Sequence, residues 1–531
     1  MSSVLNAEQQ ARLTTERDLH VEMLPGTELL EDVGNLHRIH AHNVANSTVL
    51  VPQPSSSPDD PLNWSPKWKT IIMVNQCVFV ALSIMPSQCI APLSPIFEAQ
   101  WNKNATQVAL LTGVMVIALG YTNFVIIPCA HIFGRRPTMI VCCIITLATD
   151  IWMAAAGSYW SFMAARLING FGTGANESML PLVVADIYAF FIGLMIGPII
   201  AGNIAARVSW RWFFWVCVIA QAINLLGLIV AFPETRFNRD QPPTLAQEAS
   251  QEASDNEKSP QATAEVENQN VFVTDESLEH GKPSRKQFNI IQGIDRKALS
   301  EVWIHLWTPV EIFFYPIVCW AAWTMAGAAN AFLLLVLFES PILSNPPYNF
   351  SSANIGFANF APAVGCVIAL LVCGPFCDWV ALRATKKNHG VFEPEMRLPA
   401  LIPFLAISLI GLLALGIGGQ DKWPWEAIII VGFGFFGFLT VSLPTVAITY
   451  AIDCYKPISG QIMVTSTVVK NTFGFGMTYY INDWIVRDGF IPATGLVIGL
   501  AIALPLVGMI GLMIWGKDLR RLTKNSKYHQ F

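Results

Sequence analysis

Apolar stretches of about 20 residues recur along this chain of 531 residues, and that recurrence limits its fold more than any other feature. Wound as a helix, such a stretch spans about 30 Å, the thickness of a bilayer's hydrocarbon core. Twelve are counted, at about 70–95, 107–128, 138–157, 162–185, 189–207, 212–232, 310–335, 353–373, 398–415, 427–448, 462–482 and 491–515. In lipid a backbone must satisfy its own polar groups, so these segments predict helices and the chain an all-α membrane protein. Composition agrees: 13% of residues are charged, about half of a soluble domain's share of roughly 25%.

Charge divides the chain. Between Asp240 and Glu279 stand ten acidic residues and one base, Lys258, among Gln, Ser, Pro, Ala and Asn. Such a composition cannot bury enough apolar surface to fold. The expected organisation is a polar tail at 1–69, a six-helix bundle at 70–232, an acidic, largely disordered linker at 233–308, a second six-helix bundle at 309–515 and a tail at 516–531. No basic start precedes an apolar core, so no cleavable signal peptide is expected and the first membrane helix directs insertion. The eleven cysteines lie in or beside the apolar runs, which argues against a disulfide framework, and no spacing matches a zinc site.

An even helix number puts both termini on one side. With the termini inside, inner loops and tail hold twelve Lys and Arg, including Arg135, Arg136, Arg383, Lys386 and Arg397, against five in the outer loops. The positive-inside rule then places both ends and the linker in the cytoplasm. Trp101, Trp160, Trp210, Trp212, Trp423, Trp425 and Trp484 fall at the outer boundary as an aromatic belt. Asn104 (N-A-T) and Asn349 (N-F-S) become glycosylation candidates in outer loops, whereas Asn46 and Asn176 fall where no glycan is expected.

The two halves echo each other. "PCAHIFGRRPT" (128–138) follows the second helix and "GPFCDWVALRATKK" (374–387) the eighth, and duplicated bundles meeting at a midplane site are a common transporter plan. "HIFGRRP" resembles the second half of a cytoplasmic loop motif of the major facilitator superfamily through Gly134, Arg135 and Arg136, with His131 where the motif carries an acid. Gly374 and Asp378 match its start in the second half, and "RLINGFGTGA" (166–175) resembles the family's fourth-helix pattern through Arg166 and Gly170. "GLMIGPIIAG" (193–202) resembles the fifth-helix pattern of proton-coupled drug antiporters through Gly193, Gly197, Pro198 and Gly202. "DPLNWS", "PETRF", "FEPEMRL" and "INDWI" look fungal among such transporters. The resemblance covers about residues 60–520 and implies the two-bundle fold with a cavity opened alternately to each side. It further implies proton-driven efflux of small organic molecules, xenobiotics or secondary metabolites, across the plasma membrane.

Two other readings stay open. One is proton-coupled uptake of a nutrient or organic amine. The other is a non-transporting or defective membrane protein, because only "ADIY" (185–188) separates the fourth and fifth apolar runs, with Asp186 at the turn. That shortening is a tolerated deletion, a sequence error or the mark of an inactive product.

Small residues at 193, 197 and 201 share one helical face, and Pro198 bends the helix. This smooth face is expected to be the pivot against the other half, the alternative being ordinary small-residue packing. The resemblance gives Gly134, Arg135, Arg136 and Asp378 the role of a cytoplasmic latch, pairing with acids or helix C-termini; positive-inside anchoring is the plainer role. Charges inside membrane helices are functional candidates. Arg166 and Glu177 lie about 20° apart around a helix but about 16 Å apart along it, so both are expected to face one wet cavity at different depths. Glu177 is the candidate proton carrier or cation ligand. Lys470, beside Asn471, either meets substrate, counters an acid or snorkels. Asn330 is placed with Asn75, Gln76, Gln88, Asn176 and Thr324 on cavity-lining helices, while Asp150 has no evident partner. "GFGFFG" (432–437) spells a nucleotide motif inside an apolar helix without a preceding strand, so nucleotide binding is not expected. No catalytic constellation, metal site, cofactor or nucleic-acid surface is expected. The expected partners are the lipid bilayer, protons and a small organic substrate, with the protein acting as a monomer.

Overall fold

A computed structural model describes residues 28–29, 60–178, 184–236, 281–289, 293, 299, 302–388 and 391–523. The acidic stretch of the linker and nearly all of the first tail lie outside the described residues. Twelve helical segments make the fold: α1 Pro66–Trp101, α2 Ala105–Phe133, α3 Arg135–Ala155, α4 Tyr159–Thr173 with a further turn Ala175–Ser178, α5 Val184–Arg207 and α6 Trp210–Ala231 form the first half. The second half holds α7 Pro316–Leu343, α8 Ser352–Lys387, α9 Pro394–Asp421, α10 Trp425–Cys454, α11 Ser459–Asp488 and α12 Phe490–Thr523, preceded by a helix Val302–Phe313.

Among the described residues nine of these, α1 to α3, α6 to α10 and α12, are long and apolar enough to cross a membrane. Their core-facing sides pack against each other and their outer sides expose large apolar residues such as Val125, Ile223 and Leu371. That distribution requires lipid as solvent. α11 is the polar exception, since it buries Lys470, Asn471, Thr478 and Asn482 against the other half and Thr465 against Pro309.

Three expectations about elements need correction. Asp186 sits within a helix, α5 as described from Val184, rather than at a turn, and residues 179–183 between α4 and α5 lie outside the described set. α7 runs on to Leu343, beyond the expected 335, and carries Glu339 with it. The turn between α2 and α3 is Gly134 alone, at φ 104°, where glycine avoids the Cβ penalty; Arg135 and Arg136 therefore open α3.

The halves meet along α2 with α11 and along α5 with α8. Near the Asn104 end, Thr106 donates to Asp483 Oδ1 at 2.6 Å and Asn482 to the Ala105 carbonyl at 3.4 Å. At the end that carries Gly134, a two-residue strand β1 (Glu28–Leu29) pairs antiparallel with β2 (Val391–Phe392), Glu28 opposite Phe392.

Not every tryptophan at the Asn104 end belongs to a belt. Trp160, Trp212, Trp423 and Trp425 are exposed, but Trp210 is buried edge-on against Phe97, 5.0 Å between ring centroids, with Trp101 beside it. "GFGFFG" is helical packing: its first two residues end a π segment, Ile428–Phe433, and a Cβ on Gly437 would strike the Pro362 carbonyl of α8.

Candidate functional site

A cavity of about 140 Å³ lies between the halves, bounded by α1, α2, α5, α7, α10, α11 and the turn after α4. Its polar lining is Ser87, Gln88, Glu177, Asn330, Thr440, Lys470 and Asn471. That volume suits about four or five waters at roughly 30 Å³ each, and falls below the roughly 300 Å³ at which drug-sized pockets begin. A second cavity, about 290 Å³, lies nearer the Asn104 end and includes Ser94, Glu98, Ser340 and Asn482 in its wall.

The central cavity's charges come from opposite halves. Gly170 lets α4 approach the α2 backbone at Met115, and Gly172 lets it approach α3 at Cys142, so the turn Ala175–Ser178 is held rigidly and presents Glu177. The Lys470 ammonium of α11 donates to Glu177 Oε1, and Asn471 Nδ2 donates to Glu177 Oε2 at 3.0 Å. Both ends of the ion pair are buried, Glu177 8% and Lys470 9% exposed. Snorkelling is thereby excluded for Lys470: it counters an acid. Asn330 of α7 donates to the Ala326 carbonyl at 2.7 Å and to the Lys470 carbonyl at 3.2 Å, which fixes α11 on α7 at the lysine itself. Gln88 Oε1 is buried in the wall without a hydrogen-bond partner, an acceptor facing the space.

Arg166 is not in this cavity. Fully buried, it donates from Nε to the Leu111 carbonyl at 2.7 Å, and from its terminal nitrogens to Pro86 at 2.8 Å and Ser87 at 2.7 Å. The 3₁₀ turn Met85–Ser87 breaks α1, and a broken helix leaves carbonyls that lipid cannot satisfy. The guanidinium fork satisfies them. Asp150, for which the sequence offered no partner, accepts from Asn169 of α4 at 3.2 Å. Of the other expected lining residues, Asn176 donates to Ser83 Oγ at 2.7 Å, Thr324 is buried elsewhere and Asn75 lies on the lipid-facing side of α1.

The small-residue face of α5 divides. A Cβ on Gly193 or Gly197 would strike the backbone of Ala81 or Met85 in α1, within the same half. Only Gly202 meets the other half, against the Ser352 carbonyl, while Gly356 of α8 closes on the Pro198 carbonyl. Of the four positions expected to form a pivot, only Pro198 and Gly202 therefore touch the other half.

The loop motif reaches a helix C-terminus within its own half. Arg136 donates to the carbonyls of Phe232 and, at 2.7 Å, Ile229, the C-terminus of α6. Glu234, from "PETRF", accepts the backbone N–H groups of Arg135 and Arg136, both at 3.1 Å, and caps α3. Near an α-helix N-terminus a carboxylate is favoured by the helix dipole, and here it supplies the acid that His131 cannot. All of these partners belong to the first half. In the second, "FEPEMRL" supplies the charges: Arg397 lies 2.9 Å from Asp378 and 2.9 Å from Asp453, Glu395 holds Arg520 at 2.7 Å, and Glu393 pairs with Lys517 at 2.7 Å. Sequence reasoning also missed Glu339, buried in α7 and accepting from Asn359. Its signal, an acid beside an apolar run, was hidden by the early end assigned to α7.

Comparison with known proteins places this geometry. The family model described as Major Facilitator Superfamily matches residues 77–452. Protein HOL1 of Saccharomyces cerevisiae is 28% identical, over 96% of this chain and 97% of its own. Probable efflux pump mfs2 of Aspergillus flavus is 24% identical over 82% of this chain and 99% of its own. Multidrug transporter TPO1_1 of Candida glabrata is 22% identical over 89% and 80%. Among solved structures, the human organic anion transporter MFSD10 (TETRAN) superposes with a TM-score of 0.54 at 14% identity, covering 83% of this chain and 99% of that one. A D-xylose-proton symporter gives 0.52 at 14%, covering 84% and 96%.

Proposed function

The chain belongs to the major facilitator superfamily, and from that membership we propose that it is a proton-coupled secondary transporter exporting small organic molecules from a fungal cell, with both termini in the cytoplasm. One observation carries the proton coupling: Glu177 and Lys470 join opposite halves across the wall of the cavity. A proton on Glu177 removes the charge that holds Lys470, so the halves part on that side and the cavity opens; loss of the proton restores the bridge. The names of two relatives, an efflux pump and a multidrug transporter, support export over import. The excess of Lys and Arg at the Gly134 end supports a cytoplasmic position for it. Gly134, Arg136 and Asp378 are proposed to brace that face, and Pro198 and Gly202 to form the outer pivot.

The test uses everted plasma-membrane vesicles with an imposed pH gradient and a panel of fluorescent amphiphilic compounds. Parent vesicles should accumulate at least one compound as protons leave; Glu177→Gln vesicles should not respond to the gradient although the protein is present. Gradient-driven transport that survives Glu177→Gln would defeat the assignment. Glu177 and the acceptor Gln88 would also hold an ammonium group, which favours organic amines as the second reading, with uptake as its direction; the side on which substrate accumulates separates the two.

A further inference from the structure

The first half carries a groove on its lipid-facing side that the transport cycle does not use. It is open, about 570 Å³, and runs between α1 and α6, with Ile71, Val74, Val78 and Leu82 on one wall and Ile223 and Gly227 on the other. The α1 residues recur every three or four positions and so form one stripe. From Thr70 to Leu82 the helix rises about 18 Å, close to the half-thickness of the hydrocarbon core, so the groove has the length of one leaflet's acyl chain.

Its mouth, at the Gly134 end, is basic. Lys67 stands one turn before Ile71 on the same stripe, and Lys69 lies on the other side of the helix. A second strand of chain is stitched alongside: Ser65 N–H donates to the Gly281 carbonyl at 2.8 Å, Gly281 N–H returns to the Asn63 carbonyl at 3.0 Å, and the Phe288 ring packs 5.9 Å from Trp68. Lys282, Arg285 and Lys286 are thereby held beside the start of α1. All five bases are exposed, and their side chains form no ion pair within the described residues. Gathering like charges is unfavourable unless an anion sits among them, and clustered bases next to a membrane helix attract anionic headgroups. Groove and cluster adjoin.

We propose that α1, α6 and the segment Gly281–Asn289 form a binding site for an anionic phospholipid, its headgroup among Lys67, Lys282, Arg285 and Lys286 and one acyl chain along the groove. The lipid would also steady Gly281–Asn289, which packs Phe288 under the Arg136 guanidinium at 5.5 Å, and so couple leaflet charge to the order of the segment between the halves. This reading is independent of proton coupling.

The experiment purifies the full chain in mild detergent and adds phosphatidylserine, phosphatidylcholine or inorganic phosphate, reading retained lipid by native mass spectrometry and stability by thermal unfolding. Phosphatidylserine should be retained about tenfold more than phosphatidylcholine and should raise the unfolding temperature, while phosphate alone should not. The triple change Lys67→Ala, Arg285→Ala and Lys286→Ala should abolish the preference, and the charge-keeping change Lys67→Arg, Arg285→Lys and Lys286→Arg should retain it. Gly227→Leu, which fills the groove, should weaken retention of both lipids. Equal retention of the two lipids by the parent chain, a preference that survives the triple alanine change, or a shift reproduced by phosphate alone would overturn the proposal. Should the alanine variant not purify, Gly227→Leu decides: undiminished lipid retention by it also overturns the site.

Discussion

Glu177 and Arg166 stand eleven residues apart and do different work, a difference that charge alone could not reveal. Removing one partner of a buried ion pair leaves the other charge stranded, at a cost of about 3–5 kcal/mol. Lys470→Met and Glu177→Gln should therefore each lower the unfolding temperature in detergent, and the double variant should regain most of the loss without regaining its response to a pH gradient. Double-variant stability no better than that of the worse single would contradict the pairing. Arg166→Lys should act otherwise. An ammonium cannot reach three carbonyls at once, and hydrogen bonds from a charged group are worth roughly 1.5–3 kcal/mol each, so about 3 kcal/mol should be lost. Less protein should reach the membrane, and what arrives should keep the parent's pH dependence. That Arg166 is unusual was legible in the sequence; its role was not, because two of the three carbonyls it satisfies are freed by a break in another helix. Pro86, inside the first apolar run, was the available hint.

At the level of elements, small residues mark close approach without saying what is approached. Gly193 and Gly202 belong to one motif, yet the first packs against α1 in its own half and the second against α8 across the interface. Gly193→Leu should thus lower the unfolding temperature and the yield of folded protein. Gly202→Leu, whose clash can be relieved by parting the halves, should lower both less and cut the transport rate by an order of magnitude or more, as read in vesicles matched for protein amount. Equal effects of the two on stability would show that the face is uniform packing. Helix number and type could be read from hydropathy because each span must bury its own backbone polarity. Helix ends could not, since α7 runs on to Leu343 past the polar Glu339 and Ser340, with no change in composition to mark where it stops. The acid that caps α3 was also out of reach, because Glu234 lies about a hundred residues away in the chain.

For the whole molecule, the two-bundle plan was visible in the sequence through the twelve runs and the echo of the loop motif, whereas the contact that joins the bundles needed the fold. Thr106 and Asp483 meet across the halves at the Asn104 end. Cysteines at both positions, bridged by a short bifunctional thiol reagent, should stop transport, and reduction of a cleavable bridge should restore it; transport that continues after complete bridging would rule out movement there. Asn104 and Asn349 are exposed at that same end. If that end is outside, glycosidase treatment of the native protein should raise its electrophoretic mobility, and replacing both asparagines by Gln should remove the shift.

The bridge between Glu177 and Lys470 sums to zero charge, so the closed cavity presents no net field to the membrane. Once a proton neutralises the acid, a lone positive charge remains within the bilayer, and it feels the part of about 2.3 kcal/mol per 100 mV that matches the fraction of the membrane it moves through. Under the proposed cycle, electrical polarisation of the cell would pull on the protonated transporter as well as acidity does, and a current should accompany each turnover when the substrate is uncharged.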